Sequence, residues 1–310
     1  MPQLDPSFIL SRLQWPMRET GPVDVVIDTD TFNEIDDQFA LVYAMLSTER
    51  MRVQAVYAAP FENRRSTGPT DGMEKSYEEI TRVLKTLGVP ERGWVFRGST
   101  AWLPDVLTPV ASEARDDLIE RARQQSEDRP LYVVAIGAPT NVASALIAAP
   151  DIRKNIVVLW LGGHPLHWHT AREFNLAQDP HASGALFDSG VPLVLFPCRF
   201  VAEMISCSLA ELDTHLAGRC PIGNYLTSIF RDYDDGSLQR PGRSKEIWDL
   251  APLAWLMDNA WVDSAVEPSP ILTDRLTWSR DARRHPIRVA QHIKRDPLFA
   301  DFFSKCAATK

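Results

Sequence analysis

Continuous apolar runs of strand length recur along this chain, with helix-patterned segments between them. The runs fall at 23–27 (interrupted by Asp24), 53–58, 131–136, 156–161 and 193–196, with a shorter one at 95–96. A strand that is apolar without alternation has both faces buried, so it needs helices above and below it. The segments between the runs supply them. Residues 36–47 repeat apolar side chains at helical spacing (Phe39, Ala40, Val42, Tyr43, Leu46), and 76–87 do the same with Tyr77, Ile80, Val83, Leu84 and Leu87. Further helices are expected at 107–125, 141–149 and 180–189. This order predicts an α/β fold with a mostly parallel sheet covered on both faces. In such sheets ligands bind at the carboxyl ends of the strands.

The chain has 310 residues and is 45% apolar, enough for one large α/β domain or two modest ones. The net charge of -8 gives no electrostatic footprint for a nucleic-acid polymer or an anionic membrane surface. No apolar run approaches the roughly 18 residues of a membrane span. Residues 1–5 lack the basic and apolar stretches of a signal peptide, so a cytoplasmic protein is expected. The four cysteines form no C-x-x-C pair and read as reduced thiols. Residues 1–22 read as an N-terminal extension carrying a short amphipathic helix (Phe8, Ile9, Leu10, Leu13) ended by Pro16; residues 23–310 form the α/β domain. Two long polar loops, 62–75 and 232–246, are lid candidates.

The first apolar run feeds directly into Asp28-Thr29-Asp30-Thr31-Phe32-Asn33-Glu34-Ile35-Asp36-Asp37. Helix capping accounts for Asp36 and a favourable first-turn position for Asp37. It leaves Asp28 and Asp30 unexplained at a strand exit, where like charges repel. A hard cation reconciles them, because Ca²⁺ and Mg²⁺ take several carboxylate oxygens. Two kinds of enzyme start this way. The Asp28-x-Asp30 pattern fits the first motif of haloacid-dehalogenase-like phosphatases, whereas the Asp36-Asp37 pair at a helix start fits nucleoside hydrolases.

From Asp24 to about Asn259 the chain resembles the inosine–uridine-type nucleoside hydrolases. The resemblance rests on motifs in the same order: Asp28-Thr29-Asp30 with Asp36-Asp37; Gly137-Ala138-Pro139-Thr140-Asn141; Gly162-Gly163; Glu173-Phe174-Asn175 with Asp179-Pro180; and Trp248-Asp249. It implies a single open, Rossmann-like sheet, assembly as a homodimer or homotetramer, and a small-molecule nucleoside as substrate in purine or pyrimidine salvage. It also implies Ca²⁺ held by Asp30, Asp37, Asp249 and the Thr140 carbonyl, with Asp36, Glu173, Asn175 and Asp249 on the ribose hydroxyls. Asp30 is then the candidate general base, because cleavage builds an oxocarbenium-like sugar attacked by a metal-activated water.

The match departs in three places. Trp248 stands where inosine–uridine members carry a histidine, a candidate leaving-group acid, and is a candidate for stacking on the base. Glu74 and His167 fall where the family places sugar-contacting asparagines, and His167 is also a candidate proton donor. The run His164, His167, His169 has no common zinc spacing and no neighbouring cysteine. Two rivals remain at this point. One is a non-catalytic calcium- and ribose-binding protein on the same fold. The other is the phosphatase, which requires a second Asp pair such as Asp116-Asp117 or Asp234-Asp235.

Overall fold

The computed structural model describes residues 4–17, 21–90, 93–233 and 242–309. Its centre is an eight-stranded sheet in the order β3-β2-β1-β4-β5-β6-β12-β9. The strands are β1 (Val23–Thr29), β2 (Met51–Ala58), β3 (Val95–Arg97), β4 (Leu131–Ala135), β5 (Ile156–Leu161), β6 (Leu193–Phe196), β9 (Val262–Pro268) and β12 (Pro286–Ile293). Two separate ribbons pair β7 (Ser206–Cys207) with β8 (Lys245–Glu246) and β10 (Ile271–Leu272) with β11 (Trp278–Ser279). Every pairing in the large sheet is parallel except β12 with β9 at the edge. All five residues of β4 and all six of β5 are buried, which is what a strand covered on both faces requires. Edge strand β9 instead alternates towards solvent and carries no continuous apolar run, so the sequence pattern did not reveal it.

The helices are α1 (Pro6–Arg12), α2 (Asp36–Leu46), α3 (Pro69–Thr86), α4 (Glu113–Gln124), α5 (Thr140–Ala148), α6 (Phe174–Gln178), α7 (Pro180–Asp188), α8 (Leu209–His215), α9 (Pro221–Arg231), α10 (Leu250–Met257) and α11 (Arg295–Ala307). One apolar cluster fills each side of the sheet. Helix α10 is buried at every position, and α2 at every position from Asp36 to Ala44, so these two lie inside the molecule. Phe39 of α2 packs on Phe302 of α11 with ring centroids 5.7 Å apart. Helix α1 docks on the same body. Ile9 and Leu13 are fully buried, the Trp15 indole donates to the Trp255 carbonyl at 2.6 Å, and Arg288 donates to the Leu13 carbonyl at 2.6 Å.

Two sequence expectations need correction. The helix expected at 107–125 begins only at Glu113, capped by the Ser112 hydroxyl. Asp105 takes the backbone N–H groups of Leu107 and Thr108 into a turn, and Pro109 follows. The loop expected at 62–75 is half as long, because α3 starts at Pro69 directly after Gly68, whose φ of 151° suits only glycine. Of the second expected loop, 232–246, positions 234–241 lie outside the described residues. Among the described residues no helix is long and apolar enough to cross a membrane. All four cysteines are free and buried.

The strand order places β1 beside β4, and from that pair successive strands run outward in opposite directions. This is the switch point of a doubly wound sheet, where the loops after the two strands part and leave a crevice. Asp30 follows β1, and Gly137 to Thr140 follow β4.

Candidate functional site

A cavity of about 340 Å³ opens at these carboxyl ends. Its acidic floor includes Asp30, Asp36 and Asp249, with Glu173, Asn175 and Trp248 also in its lining. Asp36 and Asp37 open α2, but Ile35 is the capping residue and no side chain caps that end. Asp249 likewise precedes α10 without capping it. Side-chain capping therefore explains neither Asp36 nor Asp249, while Asp37 does take the expected first-turn position. One oxygen each of Asp36, Asp37 and Asp249 lies within 4.8 Å of the others.

Asp30 is 1% exposed, and both of its carboxylate oxygens are buried with no hydrogen-bond partner. Burial raises its pKa well above the usual carboxylate range, and the neighbouring Asp37 and Asp36 charges raise it further. Burial and the same two neighbours push Asp249 up as well. Asp37 is raised to about 8, mainly by burial and then by Asp36, although it accepts the Thr29 hydroxyl proton. Asp36 rises only to about 6, because the Lys245 charge works against burial. Four buried acids with this little compensation form a costly arrangement unless a cation joins them. The donors are all oxygens and two are orphaned, which suits a hard divalent cation. The residues present thus fit a metal of the calcium or magnesium type.

The surrounding loops hold this cluster in place. Gly137 stands against Asp30: a Cβ there would lie 3.1 Å from the Asp30 carboxyl carbon and 3.2 Å from the Ala59 Cβ. Glu173 caps α6, accepting the backbone N–H groups of Asn175, Leu176 and Gly163 at 3.0, 3.1 and 2.8 Å. The Asn175 amide donates to the Leu161 carbonyl at 3.0 Å, which ties α6 to the end of β5. The Trp248 backbone N–H donates to Asp36, and its partly buried side chain packs on the core while lining the cavity.

The structure does not gather every residue singled out in the sequence. Asp28 belongs to no cation cluster; its carboxylate accepts the Asn141 amide at 2.8 Å, and burial raises its pKa to about 7. Glu74 lies outside the cavity on α3, paired with Arg97 at 2.9 Å near solvent. His167 is exposed and absent from the lining, because the turn after Gly163 places His164 there instead. Thr140 is buried, and its hydroxyl donates to Asp179 at 2.8 Å. The compact trio is Asp36, Asp37 and Asp249, with Asp30 beside Asp37, rather than Asp30, Asp37 and Asp249.

Other lining residues carried no motif. Glu34 lines the cavity and is ion-paired with the buried Lys245. Arg199 pairs with Glu203 at 2.9 Å across one wall. The Cys198 thiol, also in the lining, donates to Glu173. Among the described residues the acid pair that the phosphatase reading needs is not at this cavity: Asp117 bonds Tyr57 and Arg121; Asp234-Asp235 lie outside the described residues.

Residues 25–300 match the family described as inosine-uridine preferring nucleoside hydrolase. The pyrimidine-specific ribonucleoside hydrolase of Klebsiella pneumoniae (strain 342) is 27% identical, over 75% of this chain and 79% of that protein. Its counterpart from Salmonella typhimurium is 28% identical with the same coverage. Among solved structures, a plant nucleoside hydrolase superposes with a TM-score of 0.72 at 19% identity, covering 93% of this chain and 99% of that one. A purine-preferring ribonucleoside hydrolase from Gardnerella vaginalis gives 0.68 at 20% identity, covering 92% and 98%. At these identities the structural likenesses concern the fold alone.

Proposed function

Since the chain belongs to the inosine-uridine preferring nucleoside hydrolase family, and is thus a hydrolase of that type, we propose that it cleaves the N-glycosidic bond of ribonucleosides to free base and ribose. The observation that carries this reading is the convergence of Asp30, Asp36 and Asp249, with Asp37 against them, at one cavity that also presents Glu173, Asn175 and Trp248.

Asp30, Asp37 and Asp249 are proposed to hold Ca²⁺, with the Thr140 carbonyl as a neutral donor; the proximity of Asp36 to Asp37 and Asp249 makes it a further candidate. A cation bound there supplies Lewis-acid chemistry, lowering the pKa of a water and gripping vicinal hydroxyls. Asp30 is the proposed general base, since its unpartnered oxygens are free to take a proton from the attacking water. Asp36, Asp249, Glu173 and Asn175 are proposed to bind the ribose hydroxyls and fix the sugar for attack. Trp248 is proposed to stack on the base. Glu74 and His167 have no part in this reading, given their positions. A homodimer or homotetramer acting in nucleoside salvage in the cytoplasm completes the proposal.

The test is a reducing-sugar assay over purine and pyrimidine ribonucleosides, run with EDTA and then with added Ca²⁺. Free ribose that disappears with EDTA and returns with Ca²⁺ is expected. Tight Ca²⁺ binding with no turnover would leave only a binding protein.

A further inference from the structure

We infer that Lys245 is a positioning residue: paired with Glu34, it holds the segment carrying Asp249 against the loop and helix start carrying Asp30, Asp36 and Asp37, and so completes the cation cluster. This role rests on the ion site proposed above. Asp249 reaches that site on a lightly tethered stretch of chain. The ribbon before it, β7 with β8, has two residues in each strand and is separate from the large sheet. One more backbone bond continues it, from the Ile247 N–H to the Ile205 carbonyl at 2.7 Å. So short a ribbon does not fix a geometry by itself.

Lys245 lies in this ribbon, four residues before Asp249, and is only 6% exposed. Its ammonium donates to the Glu34 carboxylate and, at 3.3 Å, to the Glu246 carbonyl, and it sits 5.1 Å from the centre of the Tyr233 ring. A buried ammonium that loses its partner is costly, so the pair is strongly held. Glu34 is in turn a fixed point. Its carbonyl accepts the Arg65 guanidinium at 2.7 Å, and Arg65 stacks over the Phe32 ring at 4.5 Å. The Asn63 amide donates to the Asn33 side-chain oxygen at 2.6 Å. The connection between β1 and α2 is thus gripped by Asn63 and Arg65, and Lys245 ties the Asp249 segment to it. The Trp248 N–H, which donates to Asp36, is a second tie between the same two segments. Groups one step behind the ligands set the geometry of a metal site in this way.

Charge and position predict opposite effects for this lysine. The Lys245 charge reaches Asp36. As a point charge it opposes a cation in the cluster, so removing it would tighten binding. As a positioning residue it keeps Asp249 beside Asp36 and Asp37, so removing it frees Asp249 and weakens binding.

The test is calorimetry of Ca²⁺ binding to the full chain, stripped with EDTA and dialysed, for the wild type, Lys245→Met, Glu34→Gln and the double variant. Lys245→Met should weaken binding about tenfold or more. The losses from Lys245→Met and Glu34→Gln should not add, because the two side chains act as one unit, so the double variant should bind as weakly as Lys245→Met. The double variant removes one charge of each sign and leaves neither partner alone, so it should fold even where a single variant does not, and its affinity then decides the matter. Tighter or unchanged binding in Lys245→Met would overturn the inference, and so would near-wild-type binding in the double variant. A wild type that takes up no Ca²⁺ would overturn the proposed ion site, and this inference with it.

Discussion

Asn141 donates its side-chain amide to the Asp28 carboxylate at 2.8 Å and accepts both the backbone N–H and the hydroxyl of Ser99, at 2.7 and 2.9 Å. One residue at the start of α5 thus joins β1 to the segment after β3. Asn141→Leu keeps the volume but strands a buried carboxyl oxygen and a buried N–H. The expected loss is about 2–4 kcal/mol of unfolding free energy, measured by urea denaturation. An unchanged midpoint would mean that water replaces the amide.

Gly137 should be the glycine whose replacement harms turnover most directly. The added methyl of Gly137→Ala would press on Asp30 and Ala59 at 3.1–3.2 Å. Both lie at the crowded floor, so the Asp30 carboxylate must shift. We expect kcat to fall by roughly 10²-fold for a displacement near 1 Å, while the thermal midpoint changes little. A proportionate loss of stability would instead point to general strain.

Asp30→Asn removes one like charge from a buried cluster and, with it, the proposed base. Turnover should drop by about 10³-fold. The metal-free protein should be as stable as the wild type or more so, because repulsion with Asp37 and Asp36 is relieved. Retained activity would dismiss Asp30 as the base.

The metal-free protein has a characteristic pH dependence. Asp36 and Asp37 rise to about 6 and about 8 in the folded state, from about 4 in an unfolded chain. A folded pKa above the unfolded one means that the folded state holds protons more tightly. The corresponding stability is complete below about pH 4 and is lost as pH climbs through 6 and 8. A cation displaces these protons and favours the ionised acids. Calcium should therefore raise the melting temperature more at pH 8 than at pH 5, as scanning calorimetry would record. An equal rise at both pH values would place the ion elsewhere.

Trp248→Ala should affect bases unequally if the indole stacks. The drop in kcat/KM should be roughly five- to tenfold larger for inosine than for uridine, since the larger ring loses more contact. Matching losses would make Trp248 a core residue only.

Much of this was legible in the sequence, for reasons that also mark where legibility stops. Strands β1, β2, β4, β5 and β6 announce themselves because both of their faces are buried, whereas β9 at the edge gives no such signal. The acids before α2 stand out because nothing local explains their charge. Glu74 and His167 fall elsewhere than the sequence suggests because their places depend on turns: Gly68 starts α3 early and puts Glu74 on that helix, and the Gly162-Gly163 turn presents His164 rather than His167. Lys245 and Glu34, 211 positions apart in sequence, meet only through the fold.

Most of the chain lies between Asp37 and Asp249, yet their carboxylates come together within 4.8 Å. A nascent chain therefore carries these acids far apart, each hydrated and harmless, until nearly all of the sheet has formed. Fragments ending before α10 would lack Asp249 and leave the ion-binding cluster incomplete. For this architecture, cation affinity is a late reporter of completed folding.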